Sequence, residues 1–130
     1  MKTLVPSIVF PGTCKQALSY YVQVFGGKVT SFQTFGQASK NIDPTYQDRI
    51  FDATFLAENM CFKASDDLPS HPTYAGSNMS LFVAFTDPEE RKTIFQALAD
   101  QGEILFPLDD NYGMLKDAFG IQWIFVLNRG

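Results

Sequence analysis

The chain has 130 residues, of which 45% are apolar and 15% aromatic, thirteen of them Phe, and a formal net charge of −4. This composition is that of an ordered globule with a real core, and it excludes disorder. The charge excludes the basic stripe of a nucleic-acid-binding surface, and no apolar run approaches the ~20 residues of a membrane-spanning helix.

Val5–Phe10 reads as an apolar strand, and Pro11-Gly12-Thr13 leads from it into a helix at Cys14–Phe25. Thr13 stands where a hydroxyl can accept a hydrogen bond from a free first-turn amide. Ala17, Tyr20, Tyr21 and Val24 recur at helical spacing, and Gly26-Gly27 ends the helix. Strands follow at Lys28–Phe35, Arg49–Leu56 and Met60–Ser65, the last two forming a hairpin over the tight turn Ala57-Glu58-Asn59. The polar stretches Gln37–Gln47 and Asp66–Ser77, with Pro44, Pro69, Pro72 and Gly76, read as loops.

The second half repeats this order. An apolar strand runs from Met79 to Thr86, and Asp87 caps a helix that has Pro88 at its first position and Glu89 and Glu90 in its first turn. Glu90 stands three residues after Asp87, a capping-box spacing. Ile94, Phe95 and Leu98 form the apolar face, and Gly102 ends the helix. Strands are expected at Glu103–Leu108, Tyr112–Lys116 and Ile121–Leu127, the last pair joined through Asp117–Gly120. The pattern is βαβββ twice, an α+β fold. Neither half has enough core to stand alone, so residues 1–130 are expected to form a single domain. Module 1 covers 1–66, a linker 67–76, and module 2 covers 77–130.

Alternation along the strands sorts side chains by face. Met79, Leu81, Val83 and Phe85 are expected to pack on the second helix, leaving Asn78, Ser80, Phe82 and Ala84 on the opposite face. Trp123 and Phe125 belong with the helices, and Gln122 and Ile124 with the open face. In the 49–65 hairpin, a two-residue turn at Glu58-Asn59 sets Thr54 opposite Lys63, with Asp52 diagonal to Lys63. Charges on such a face need partners or water. Lys63 could receive an anionic or carbonyl group while Asp52 orients it or takes a proton; the bland reading is that the two satisfy each other.

Other chemistry is sparse. Cys14 and Cys61 are too few for a disulfide framework or a four-cysteine zinc site. Cys14 lies at a helix start, yet the only His, His71, sits in a Pro-rich loop, so a structural thiol is expected. Tyr20 and Tyr21 read as core. The sequence has no G-x-G-x-x-G, Walker A, G-x-S-x-G or C-x-x-C motif. Residues 1–7 lack the apolar run of a signal peptide, and the cytoplasm is the expected compartment.

Phe10-Pro-Gly-Thr-Cys-Lys-Gln-Ala-Leu-Ser-Tyr-Tyr21 with Val24-Phe-Gly-Gly27 resembles the opening of PhnB-like proteins. Those belong to the glyoxalase/bleomycin-resistance/extradiol-dioxygenase (vicinal oxygen chelate) superfamily. Asp48-Arg-Ile50, Ala64-Ser-Asp66, Asn78–Leu81, Asp87–Glu90, Gly113–Asp117 and Phe119–Trp123 extend the likeness over essentially the whole chain. The resemblance implies two βαβββ modules forming curved mixed sheets around a cup, and a homodimer.

In the superfamily's metalloenzymes, His, Gln or Glu side chains on four strands hold a divalent metal in the cup. Carried over by spacing, those positions fall here at Pro6, Ser80 and Ile124, with the second at Lys63 and Phe62 as its alternative. Ser80 lies 74 residues after Pro6, the offset that superposes Thr13 on Asp87. Pro and Ile cannot ligate, a Lys ammonium has no lone pair, and Ser alone is a poor ligand. No metal and no cofactor are therefore expected. Some PhnB-like proteins carry a demethylubiquinone methyltransferase label, but no Gly-rich strand–turn–helix loop for a nucleoside cofactor is visible.

Three readings follow. The first is a metal-free small-molecule-binding protein, with Asp52, Thr54, Lys63, Asn78, Ser80 and Gln122 lining the cup. The second is a metal-independent isomerase or lyase working through Asp52 and Lys63. The third is a dimeric scaffold without a ligand.

Overall fold

The computed structural model describes residues 1–128, which fall into two compact units, Met1–Thr73 and a second beginning at Tyr74. In the first, β1 (Ser7–Phe10), α1 (Cys14–Phe25), β2 (Lys28–Thr34), β3 (Ile50–Ala57) and β4 (Met60–Asp66) follow in chain order. The sheet order is β1-β4-β3-β2, with β1 parallel to β4 and the other neighbours antiparallel. The second unit has β5 (Leu81–Phe85), α3 (Pro88–Ala99), β6 (Glu103–Phe106), β7 (Tyr112–Lys116) and β8 (Gln122–Leu127), in the order β5-β8-β7-β6. The topology is the same, including the single parallel pair. The chain is thus α+β, with βαβββ twice.

Each helix covers one face of its own sheet. On α1 the buried side chains are Cys14, Ala17, Leu18 and Tyr21, one stripe at helical spacing. Tyr20 and Val24, expected on that stripe, are only half-buried at its margin. Tyr21 meets Phe62 and Phe55 edge-on at 5.8 and 6.4 Å, and Phe55 stacks on Phe62 at 4.8 Å. In the second unit, Phe125 contacts Phe85 at 4.8 Å, Phe95 at 5.8 Å and Trp123 at 6.3 Å.

One cap expectation changes. Thr13 makes no side-chain cap bond; the Cys14 amide donates instead to Asp66 Oδ1, at 2.8 Å from the end of β4. Asp87 does cap α3, accepting from the Glu89 amide at 3.0 Å. The stretch 37–47 is not wholly loop: a short helix, α2 (Phe35–Ala38), is closed by a reciprocal Thr34–Gln37 capping box, and a 3-10 turn covers Pro44–Tyr46. Met79 is also not packed under the helix. It is 75% exposed, because β5 begins only at Leu81.

Gly27 and Gly102 occupy matching places at the start of β2 and β6. A Cβ on Gly27 would collide with the Leu56 carbonyl oxygen, and one on Gly102 with that of Lys116. Close approach of two backbones fixes both glycines, and at Gly27 a left-handed φ of 87° demands one as well.

Candidate functional site

The β3–β4 hairpin builds the polar centre of the first unit. Asn59 takes a left-handed φ of 55° in the two-residue turn, and Ala57 pairs with Met60 across it. That register puts Thr54 directly opposite Lys63. Phe55 and Phe62 are buried on the α1 side, so Thr54 and Lys63 project from the other face. Of the two residues weighed for the second ligand position, Lys63 lies on the open face and Phe62 in the core.

Lys63 Nζ lies 2.9 and 3.1 Å from the two carboxylate oxygens of Asp52 and donates to Thr54 Oγ1 at 2.7 Å. The pair is accessible, with the Lys63 side chain 34% and the Asp52 side chain 40% exposed. Around it the ladder brings residues that the sequence reading did not select. Ser7 on β1 is in register with Lys63, and Thr30 on β2 with Thr54, so one polar row crosses all four strands.

A bulge in β2 adds one more residue. Thr30 pairs with Thr54 and Gln33 with Asp52, leaving one extra residue on β2. Ser31 absorbs it with φ 53°, uncommon for a residue with a Cβ. The bulge brings Gln33 to the same face as Asp52. No sequence signal marked it, because Ser31 is neither Gly nor Asn.

In the second unit, Gln122 is buried. Its Nε2 donates towards the carbonyls of Met79 at 3.0 Å and Ser77 at 3.3 Å, and towards Ser80 Oγ at 3.3 Å. Ser80 and Gln122 are thus together, whereas Asn78 is exposed. The amide ties the segment before β5 to β8. Lys116 and Glu103 continue this polar end of the face, since Lys116 pairs with Gln122 and Glu103 with Lys116. An apolar row runs beside them: Phe82 pairs with Ile124, Ile124 with Met114 and Met114 with Phe106. Phe82 is 65% and Phe106 54% exposed.

At the positions that the resemblance implies for metal ligands, the groups present are a poor fit to a divalent ion. In the first unit, Pro6 offers only its carbonyl, which accepts the Lys63 amide at 2.8 Å, and the Lys63 ammonium is ion-paired. In the second, Ser80 is bonded to Gln122 and Ile124 is apolar. Among the described residues, no three His, Cys, Asp or Glu side chains gather to hold an ion.

The remaining candidates have structural surroundings. Cys14 is fully buried, and its thiol is pushed up to about 12, first by burial and then by the Asp66 carboxylate. His71 is exposed, with Nδ1 3.2 Å from Ser70 Oγ. Two buried carboxylates were missed. Asp66 accepts from the Cys14 and Ile50 amides. Asp117 accepts from the Phe119 and Ile121 amides and from Trp123 Nε1 at 2.9 Å. Their flanking sequence carries no pattern that separates them from surface Asp.

A family model described as 3-demethylubiquinone-9 3-methyltransferase matches residues 2–126. Protein PA1353 from Pseudomonas aeruginosa is 28% identical, with a TM-score of 0.88 over 98% of each chain. A putative 3-demethylubiquinone-9 3-methyltransferase, the PhnB protein from Bacillus cereus, is 26% identical, with a TM-score of 0.83 over 98% of this chain and 100% of the other. The fosfomycin resistance protein FosX from Listeria monocytogenes, complexed with Mn(II) and 1S,2S-dihydroxypropylphosphonic acid, shares the fold at 9% identity. Its TM-score is 0.67 over 97% of this chain and 92% of that one. With the duplicated βαβββ topology, these likenesses place the chain in the 3-demethylubiquinone-9 3-methyltransferase family, the PhnB-like branch of the vicinal oxygen chelate fold.

Proposed function

We propose that this chain is a metal-free small-molecule-binding protein whose recognition centre is the Lys63–Asp52–Thr54 cluster. One observation carries the reading: a charged, accessible pair, joined to the Thr54 hydroxyl, stands on the open sheet face. The fold hosts a small organic acid in FosX, which supports binding by analogy of fold alone. Asn78, Ser80 and Gln122 are secondary candidates, Gln122 being already engaged by backbone carbonyls. The methyl transfer in the family's description is not part of this reading, because neither sheet is doubly wound.

Thermal-shift screening of metabolites and divalent metals tests the proposal. A metabolite at 100 times its dissociation constant adds ~2.7 kcal/mol of stability. A transition metal copurifying at one per chain would overturn the metal-free reading. The second reading, an isomerase or lyase, has one observation in its favour, a carboxylate base 2.9 Å from a cation able to polarise a carbonyl. It requires turnover that Asp52→Asn abolishes while binding persists.

We propose two further properties on the same footing. The chain is a homodimer, as the exposed apolar row through Phe82 and Phe106 favours burial against a second copy. It works in the cytoplasm, a compartment that suits two free thiols, Cys14 and Cys61.

A further inference from the structure

The hydrogen-bonding inventory of the first unit's open face narrows the ligand class. A carboxylate has about four acceptor sites and an ammonium three donors. Both Asp52 oxygens face Lys63 Nζ, and among the described residues no other group donates to them. Lys63 has Asp52 and Thr54 as partners, which leaves it one hydrogen to give. Thr54 accepts from Lys63, so its own hydroxyl hydrogen is available. The face therefore offers a carboxylate with acceptor sites to spare, beside an ammonium and a hydroxyl that can each donate once more.

The charges decide between ligand types. A simple anion approaching Lys63 meets Asp52, whose oxygen is 2.9 Å away, and a simple cation approaching Asp52 meets Lys63. At such separations like-charge repulsion cancels most of the attraction. A ligand carrying both charges escapes this penalty, because each of its charges faces its opposite. In an α-amino acid the ammonium and carboxylate stand about one hydrogen-bond length apart, like Lys63 and Asp52.

We propose that this face binds the ammonium–carboxylate head of an amino-acid-like zwitterion. Asp52 accepts from the ligand ammonium, and Lys63 with the Thr54 hydroxyl donates to its carboxylate. Gln33, set opposite Asp52 by the bulge at Ser31, offers an amide to whatever substituent the head carries. The inference rests on small-molecule binding at the Lys63 cluster and adds the class of molecule.

The test is amide chemical-shift mapping of the full chain with free α-amino acids, their N-acetyl derivatives and their carboxamides. Free amino acids should shift the Asp52, Thr54 and Lys63 amides, and both derivatives should bind at least tenfold more weakly. Asp52→Asn should remove that preference and leave the N-acetyl acid the better ligand. The double exchange Asp52→Lys with Lys63→Asp, which keeps a pair, should retain binding of the free amino acid. Equal binding of the three ligand series would overturn the zwitterion assignment. So would a neutral polyol or monoanion that shifts these amides when no amino acid does, an outcome that leaves small-molecule binding standing. If no compound of a general metabolite library shifts them, both readings fall.

Discussion

Asp66 holds Cys14 across 52 residues of sequence: its Oδ1 accepts the Cys14 amide at 2.8 Å while its Oδ2 accepts the Ile50 amide at 2.9 Å. One buried carboxylate thus caps α1 and fastens the start of β3, placing negative charge at the helix N-terminus where the dipole favours it. Removing it leaves two buried amides without an acceptor. Asp66→Ala should cost about 3 kcal/mol, the range for charged hydrogen bonds in a buried setting. Thr13→Ala should change stability by less than ~0.5 kcal/mol, because its hydroxyl caps nothing. Urea denaturation of the two variants checks the order, and the reverse order would refute this account of the cap.

The same neighbourhood sets a pH dependence. The Cys14 thiol rises from 9.0 to about 12 in the folded chain. Below pH 9 both states keep the proton and the thiol does not influence stability. Above it the unfolded thiol ionises while the folded one stays protonated up to about 12, so the unfolded state binds fewer protons and stability falls as pH rises. The Cys14→Ala variant should show a shallower loss between these limits. In native protein at pH 8, thiol titration should find Cys61 reactive and Cys14 silent.

The topology was legible because it is written in period and punctuation. The hairpin Ile50–Asp66 came through with its register, since Glu58-Asn59 leaves room for only a two-residue turn and Phe55 and Phe62 must share a face. The Thr54–Lys63 pairing and the reach of Lys63 to Asp52 followed from that register. What was hidden depends on contacts between distant segments. The Asp66 cap, the burial of Arg91 where the first helix has Ala17, and the recruitment of Gln33 by a bulge leave no local trace. Gln122 was placed on the right strand and face, but its partners are backbone carbonyls of a segment more than 40 residues away.

Gln122 is expected to act as a clamp. Gln122→Leu keeps the volume and removes donors to the Ser77 and Met79 carbonyls, so stability should drop by about 1 kcal/mol. The local effect should be larger than the global one. Hydrogen exchange should speed up at the amides of residues 77–81 with little change on β7. Unchanged exchange there would mean that the clamp restrains nothing.

The Lys63–Asp52 pair should matter little for folding. An accessible ion pair contributes ~0–1 kcal/mol, and both side chains are more than a third exposed. Asp52→Asn and Lys63→Met should therefore keep denaturation midpoints close to the parent while losing ligand. A loss above 2 kcal/mol in either variant would make the pair a structural element and would weaken its candidacy as a binding centre.

The last expectation concerns assembly. A row of apolar side chains crosses the second sheet at Phe82, Ile124, Met114 and Phe106, and its two ends are more than half exposed. Apolar surface arranged in this way is costly to leave in water, and two-fold pairing is the commonest way to cover it. The dimer interface should exceed ~1,600 Å² of total buried area. Sedimentation at micromolar concentration should show one species at twice the 14.6 kDa chain mass, and a species at 14.6 kDa would refute the dimer. Phe82→Lys places a charge on the row and should produce monomers. If those monomers also lose the ligand, the Lys63 centre is completed by the second copy. If they keep it, each chain binds alone and the apolar row serves assembly only.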